Sequence, residues 1–149
     1  MNRIWTYIID KKLSAEDINA MQTEGMNFVN SWVSHEQKLF ATFEIFKDRI
    51  IIIKLNEAVH KAGGCSLDTL AHFIKSLEKS FSVELLNRLL VAFKRDEEVE
   101  VVHSSKIKEL LTQKYISENT IVFSTSMANS SELISWEQPL KKTWLCKYL

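Results

Sequence analysis

Leu39-Phe40-Ala41-Thr42-Phe43-Glu44-Ile45-Phe46-Lys47-Asp48-Arg49-Ile50-Ile51-Ile52-Ile53-Lys54-Leu55 is the stretch on which the fold turns. Leu39, Ala41, Phe43 and Ile45 fall on one side of an extended chain, the period-two pattern of a strand with one buried face. Lys47-Asp48-Arg49 is a short polar break, and the β-branched run Ile50–Leu55 follows at once. Strands joined so briefly pair antiparallel, because a parallel pair needs a crossover of about a dozen residues or more. Arg88–Lys94 and Val99–Val102 form a second such pair around an acidic turn. Consecutive hairpins exclude a doubly wound parallel sheet.

Upstream, Ile4–Ile9 reads as a first strand. Ser14 then caps a helix, with Asp17 in the capping-box position and Leu13 and Ile18 as a staple. Ile18, Met21, Phe28 and Trp32 mark its inner face. Downstream, Ser66 caps a helix whose stripe is Leu70, Phe73, Ile74, Leu77 and Phe81, and Ser105 opens a short helix with Ile107, Leu110 and Leu111. Thr120–Phe123 is a last strand, and a helical stretch from Trp136 ends the chain. The reading is an α+β fold, with an antiparallel or mixed sheet and helices packed mainly on one face. Its first six elements follow the ferredoxin-like β-α-β-β-α-β order. A C-terminal β-α-β-α extension follows, and where its strands join the sheet stays open.

The 149 residues, with 46% hydrophobic and 26% charged side chains, suit one globular domain over residues 1–149. Three glycines and one proline leave no linker. Charge is balanced, 19 basic against 19 acidic, with nine of each in residues 1–75 and ten of each in residues 76–149. Such evenness offers no basic stripe for nucleic acid. The longest apolar runs, Leu89–Phe93 and Ile50–Ile53, fall far short of the roughly 20 residues of a membrane span. The start lacks the pattern of a signal peptide, and Cys65 and Cys146 make no C-x-x-C, so free thiols and a cytoplasmic location are expected.

Five segments carry a family resemblance: Phe43–Ile50, Gly64-Cys65-Ser66-Leu67-Asp68, Glu84–Phe93, His103–Leu111 and Trp136-Glu137-Gln138-Pro139-Leu140. Together they make the chain similar to a family of small uncharacterised bacterial proteins common in Bacteroidetes, some labelled ABC transporter ATPase. The resemblance brings no functional residues to transfer. The label needs a G-x-x-x-x-G-K-[ST] loop to cradle phosphates, and none of Gly25, Gly63 and Gly64 sits in one. An ATPase is therefore not expected.

Lys61-Ala62-Gly63-Gly64-Cys65-Ser66-Leu67-Asp68 is the local feature with most chemical potential. Two glycines directly before a helix let a ligand approach outward-pointing amides, which suits a phosphate or carboxylate. The same field would favour the Cys65 thiolate. The plainer reading is a capped turn with Cys65 as a small buried hydrophobe. Gly63, Gly64, Cys65 and Ser66, with His60 five residues before the cysteine, form the candidate anion site. His72 falls off the buried stripe, and whether His35 or His103 approaches is a question for the fold.

Four histidines and two cysteines show no zinc spacing, so no metal and no cofactor are expected. Asp96, Glu97, Glu98 and Glu100 sit in a turn, where they stay solvated. Leu140, Trp144, Leu145 and Tyr148 suggest a terminal amphipathic helix, docked on its own sheet or offered to a partner or membrane surface. The leading functional expectation is a non-enzymatic protein-interaction module with a protein partner or a second copy. The alternative is a binder of a small anionic metabolite, or an enzyme, using the Gly63–Ser66 turn.

Overall fold

The computed structural model describes residues 2–125 and 136–149. It has an α+β fold in four layers, and the middle of that stack is set by β5 (Ile50–Asn56). β5 lies between β1 (Asn2–Ile8) and β4 (Ala41–Phe46), antiparallel to both. Side chains of a strand alternate between faces, and both faces of β5 are covered. Ile51, Ile53 and Leu55 pack under α1 (Ala15–Ser31) and α2 (Gly64–Phe81), together with Met21, Val29, Leu70, Ile74 and Leu77. Ile50 and Ile52, joined by Ile4 and Ile8 of β1, face the opposite way.

That opposite face meets a second sheet of four antiparallel strands. Its order is β7 (Glu98–His103), β6 (Leu90–Arg95), β8 (Ile121–Phe123) and β9 (Glu137–Pro139). Ala92, Val99, Phe123 and Trp136 point inward against the first sheet. Val91, Phe93 and Val122 point outward, under Ile107 of the short α3 (Ile107–Thr112) and under Leu140 and Leu145.

The β-α-β-β-α-β succession places β4 beside β5 and β5 beside β1, but β6 does not extend that sheet. It nucleates the second sheet and stacks face to face on the first, because its residues are apolar on both sides. Helices cover one face of the first sheet, and strands cover the other. A two-stranded hairpin, β2 (Val33–Ser34) and β3 (Gln37–Lys38), adds a further pair after α1.

The expected terminal helix is not formed. β9 pairs with β8 through Ile121–Pro139, Val122–Gln138 and Phe123–Glu137. Pro139, lacking an N–H, is tolerated there because β9 is an edge strand among the described residues. Two short 3-10 turns follow, Leu140–Lys142 and Trp144–Tyr148, separated by Thr143 in an extended conformation. Leu140 and Leu145 are buried as a result, whereas Trp144 is 52% exposed. No helix among the described residues is long and apolar enough to cross a membrane.

Candidate functional site

The two long helices begin differently. Ser14 caps α1 by accepting the Asp17 N–H at 3.1 Å, and Glu16 and Asp17 put negative charge in its first turn. α2 starts at Gly64, two residues before the serine expected to cap it. Its N-cap, Gly63, has no side chain, no side chain caps its first turn, and that turn holds no acid. Ser66 instead lies inside the helix and reaches back, with Oγ accepting the Gly63 N–H and donating to the Gly63 carbonyl, both at 2.8 Å. Ser66 is buried and its carbonyl accepts the Trp32 indole N–H at 2.9 Å, which pins the start of α2 to the end of α1.

Trp32 leads directly into the β2–β3 hairpin, which carries side chains to this turn. A two-residue hairpin of this hand needs positive φ at both central residues, and His35 (52°) and Glu36 (66°) supply it without glycine or asparagine. A Cβ on Gly63 would lie 3.4 Å from Ser34 Oγ and 3.5 Å from His35 Nε2. A Cβ on Gly64 would meet nothing within 4 Å. Ser34 and His35 thus border the open end of α2, and no local sequence signal announced it.

The other candidate residues are placed as follows. Cys65 and Cys146 are free thiols, both exposed, so Cys65 is not the small buried hydrophobe of the plainer reading. His60 is half-buried in the preceding loop and makes no hydrogen bond among the described residues. In that loop Glu57 accepts the Ala62 N–H at 3.2 Å. His72 is exposed on α2. His103 caps the turn before α3, its Nδ1 accepting the Ser105 N–H at 3.1 Å, a role expected of Ser105 itself. Of the acidic run, Glu100 accepts the Tyr115 hydroxyl at 2.6 Å, and that bond raises the tyrosine pKa. Among the described residues no three His, Cys, Asp or Glu side chains gather to hold a metal ion.

A larger concavity lies elsewhere. Among the described residues, β1 pairs with β5 on one side and with no strand on the other. Along that free edge runs a cleft of about 870 Å³, lined by four consecutive β1 residues, Trp5, Thr6, Tyr7 and Ile8. Its far wall is the second sheet, and exposed Leu86 and Trp144 stand at its rim. Among the described lining residues are two cations, Arg88 and Lys142, and no carboxylate. Thr6 Oγ1 is buried without a hydrogen-bond partner, an unusual state for a polar atom. Burial pushes the Tyr7 hydroxyl up to about 12.

No protein-family model matches the chain, and no curated protein or solved structure is significantly similar to it.

Proposed function

We propose that the protein is a non-enzymatic interaction module that takes an extended, acidic segment of a protein partner along the free edge of β1. The observation that carries this reading is the cleft beside Trp5–Ile8, cationic and free of carboxylates among its described lining residues. A strand edge presents unpaired N–H and C=O groups, so an extended peptide can add main-chain hydrogen bonds there while alternate side chains enter pockets. The opposite edge of the sheet is less open, since α1 lies along β4 and Gln22 donates to the Phe43 carbonyl at 3.2 Å. Arg88 and Lys142 would favour carboxylates on the incoming segment, and Leu86 and Trp144 would supply its apolar contacts.

In this reading the module is a cytoplasmic protein of the bacterial family it resembles. Its β1-α1-β4-β5 unit is a ferredoxin-like split βαβ extended by a second sheet. Selection of random peptides on the purified protein tests the proposal. Enriched sequences should combine acidic and apolar residues in alternation, shift the amides of Trp5–Ile8 in NMR spectra, and lose affinity on Arg88→Glu. Peptides that bind without touching β1, or the absence of any enrichment, would overturn it.

A further inference from the structure

We infer that the free edge of β1 reads its partner in one antiparallel register: the added strand bonds the main chain of Thr6 and Ile8, and the residue it sets opposite Trp5 is an acid that meets Arg3. This inference rests on the reading of the cleft as a docking edge and specifies what docks there.

In an antiparallel strand the N–H and C=O of one residue point to one side, and those of the next residue point to the other. Two bonds fix the phase in the first sheet. Asn56, at the end of β5, donates its N–H to the Phe40 carbonyl at 2.8 Å, on the β4 side. Ile9, just past β1, donates its N–H to the Arg49 carbonyl at 2.8 Å, on the β5 side. Both registers run through β5 without a slip, so Ile51, Ile53 and Leu55 bond β1 through Tyr7, Trp5 and Arg3. The main-chain groups of Thr6 and Ile8 therefore point away from β5, towards the edge along which the cleft runs. None of those groups has a hydrogen-bond partner among the described residues. Asp10, the next outward residue, is already engaged. Its N–H donates to the Glu84 carbonyl at 3.2 Å, and its Oδ1 accepts the Glu84 N–H at 2.7 Å. An added strand thus has two residues to bond in the cleft and stops short of Glu84.

Register also sorts the partner's side chains, because residues directly opposite each other share a face. Ile4 and Ile8 face the second sheet, and Thr6 between them takes the same face by alternation. Partner residues opposite Thr6 and Ile8 enter there, where Leu90 and Phe123 border the cleft and apolar side chains fit. Trp5 and Tyr7 stand on the helix face, and that face holds an unused charge. The Arg3 guanidinium lies 5.1 Å from the centre of the Trp5 ring, and Arg3 makes no ion pair among the described residues. The pair formed opposite Trp5 is a non-hydrogen-bonded one, in which side chains come closest. Arg3 is its diagonal neighbour, within reach of a long side chain. A glutamate at that position meets the guanidinium in a charge-assisted bond.

The test takes a glutamate-bearing peptide enriched on the whole chain, N-methylates its residues one at a time, and follows amide hydrogen exchange of the free and bound protein by NMR. In the free protein the Thr6 and Ile8 amides should exchange fast and those of Trp5 and Tyr7 slowly, and binding should protect the first two. Methylation at two peptide residues, spaced by one, should weaken binding by about tenfold each. Methylation of the glutamate that follows the second should be tolerated, since its N–H points away from β1. Arg3→Glu should weaken this peptide by about fivefold, and lysine in place of the glutamate should restore the loss. The methylation scan needs no protein variant, so it decides the matter even where Arg3→Glu does not fold. Peptides that shift β1 yet tolerate every methylation, or that lose affinity on methylation of the glutamate, would overturn the register and leave the docking edge standing. Slow exchange of Thr6 and Ile8 in the free protein, or peptides that bind away from β1, would overturn the docking edge and the register together.

Discussion

Replacing Gly25 by alanine measures how closely α1 lies on the first sheet. In an exposed helix interior this change stabilises by up to about 1 kcal/mol, because glycine carries the larger entropy loss on folding. At Gly25 the added methyl would overlap three ring atoms of Phe43, Cγ, Cδ1 and Cε1. That ring is buried and held edge-on to Phe73 at 6.3 Å, so it has little freedom to withdraw. Overpacking of a well-filled core costs about 1–3 kcal/mol, and a clash with a whole ring belongs at the upper end. The overlap therefore outweighs the propensity gain, and a net loss of about 2 kcal/mol is expected. In a chain of this length that corresponds to a fall in Tm of about 4–8 °C. Urea denaturation followed by tryptophan fluorescence reads the number. Gly64→Ala is the control, since its Cβ enters open space and should be neutral to mildly stabilising. Adding Phe43→Leu to Gly25→Ala should recover part of the loss. A Gly25→Ala protein as stable as the parent would refute the close approach of α1 to β4.

Three further outcomes follow from the packing. Leu145→Ala should cost about 2–5 kcal/mol because Leu145 is fully buried, whereas Trp144→Ala should change stability by less than about 0.5 kcal/mol. Equal losses in denaturation would contradict the placement of the two terminal 3-10 turns. Tyr7 keeps its proton in the folded chain up to about pH 12, while in the unfolded chain it ionises near 10. The unfolded state then loses its proton first, so the contribution of Tyr7 is intact below pH 10 and is lost as pH rises towards 12. Tyr7→Phe should flatten that part of the alkaline stability profile, and an unaltered profile would count against burial of the hydroxyl. Trp32→Phe removes the indole bond that ties the Ser66 carbonyl to the end of α1, while that carbonyl keeps its place in the helical ladder of α2, and should cost about 0.5–1.5 kcal/mol. Urea denaturation of the variant reads the cost.

Local features were legible because local rules govern them. The hairpin of β4 and β5, the Ser14 cap and the Leu70–Ile74–Leu77 stripe all appear where periodicity and capping place them. The partition of the strands into two stacked sheets was not. Its signal was present in the uninterrupted runs Ile50–Ile53 and Leu89–Phe93, since a strand covered on both faces loses its alternation. The runs mark strands, but nothing local in them says which layer covers the second face. The terminal helix failed for a related reason: Leu140, Trp144 and Tyr148 recur at helical spacing, yet pairing of Pro139 with Ile121 and the extended Thr143 break it. In the candidate site, Gly63 and Gly64 were visible as punctuation. Ser34 and His35 were not, because their approach depends on how Trp32 docks against Ser66, a contact across 34 residues.

The four consecutive isoleucines of β5 also bear on how the chain is made. An apolar, β-branched segment of this kind is a hazard for intermolecular cross-β stacking whenever it is left uncovered. Both of its strand neighbours, β1 and β4, precede it in the chain. As β5 leaves the ribosome its hydrogen-bonding edges therefore already have partners, and the β4 hairpin can close within microseconds. Its two faces are covered in sequence, first by α1 and then by α2 and the second sheet. Lys47-Asp48-Arg49 on one side and Lys54 on the other place charges around the run as gatekeepers during that interval. Pausing synthesis between β5 and α2 would expose the half-covered sheet at its most vulnerable point.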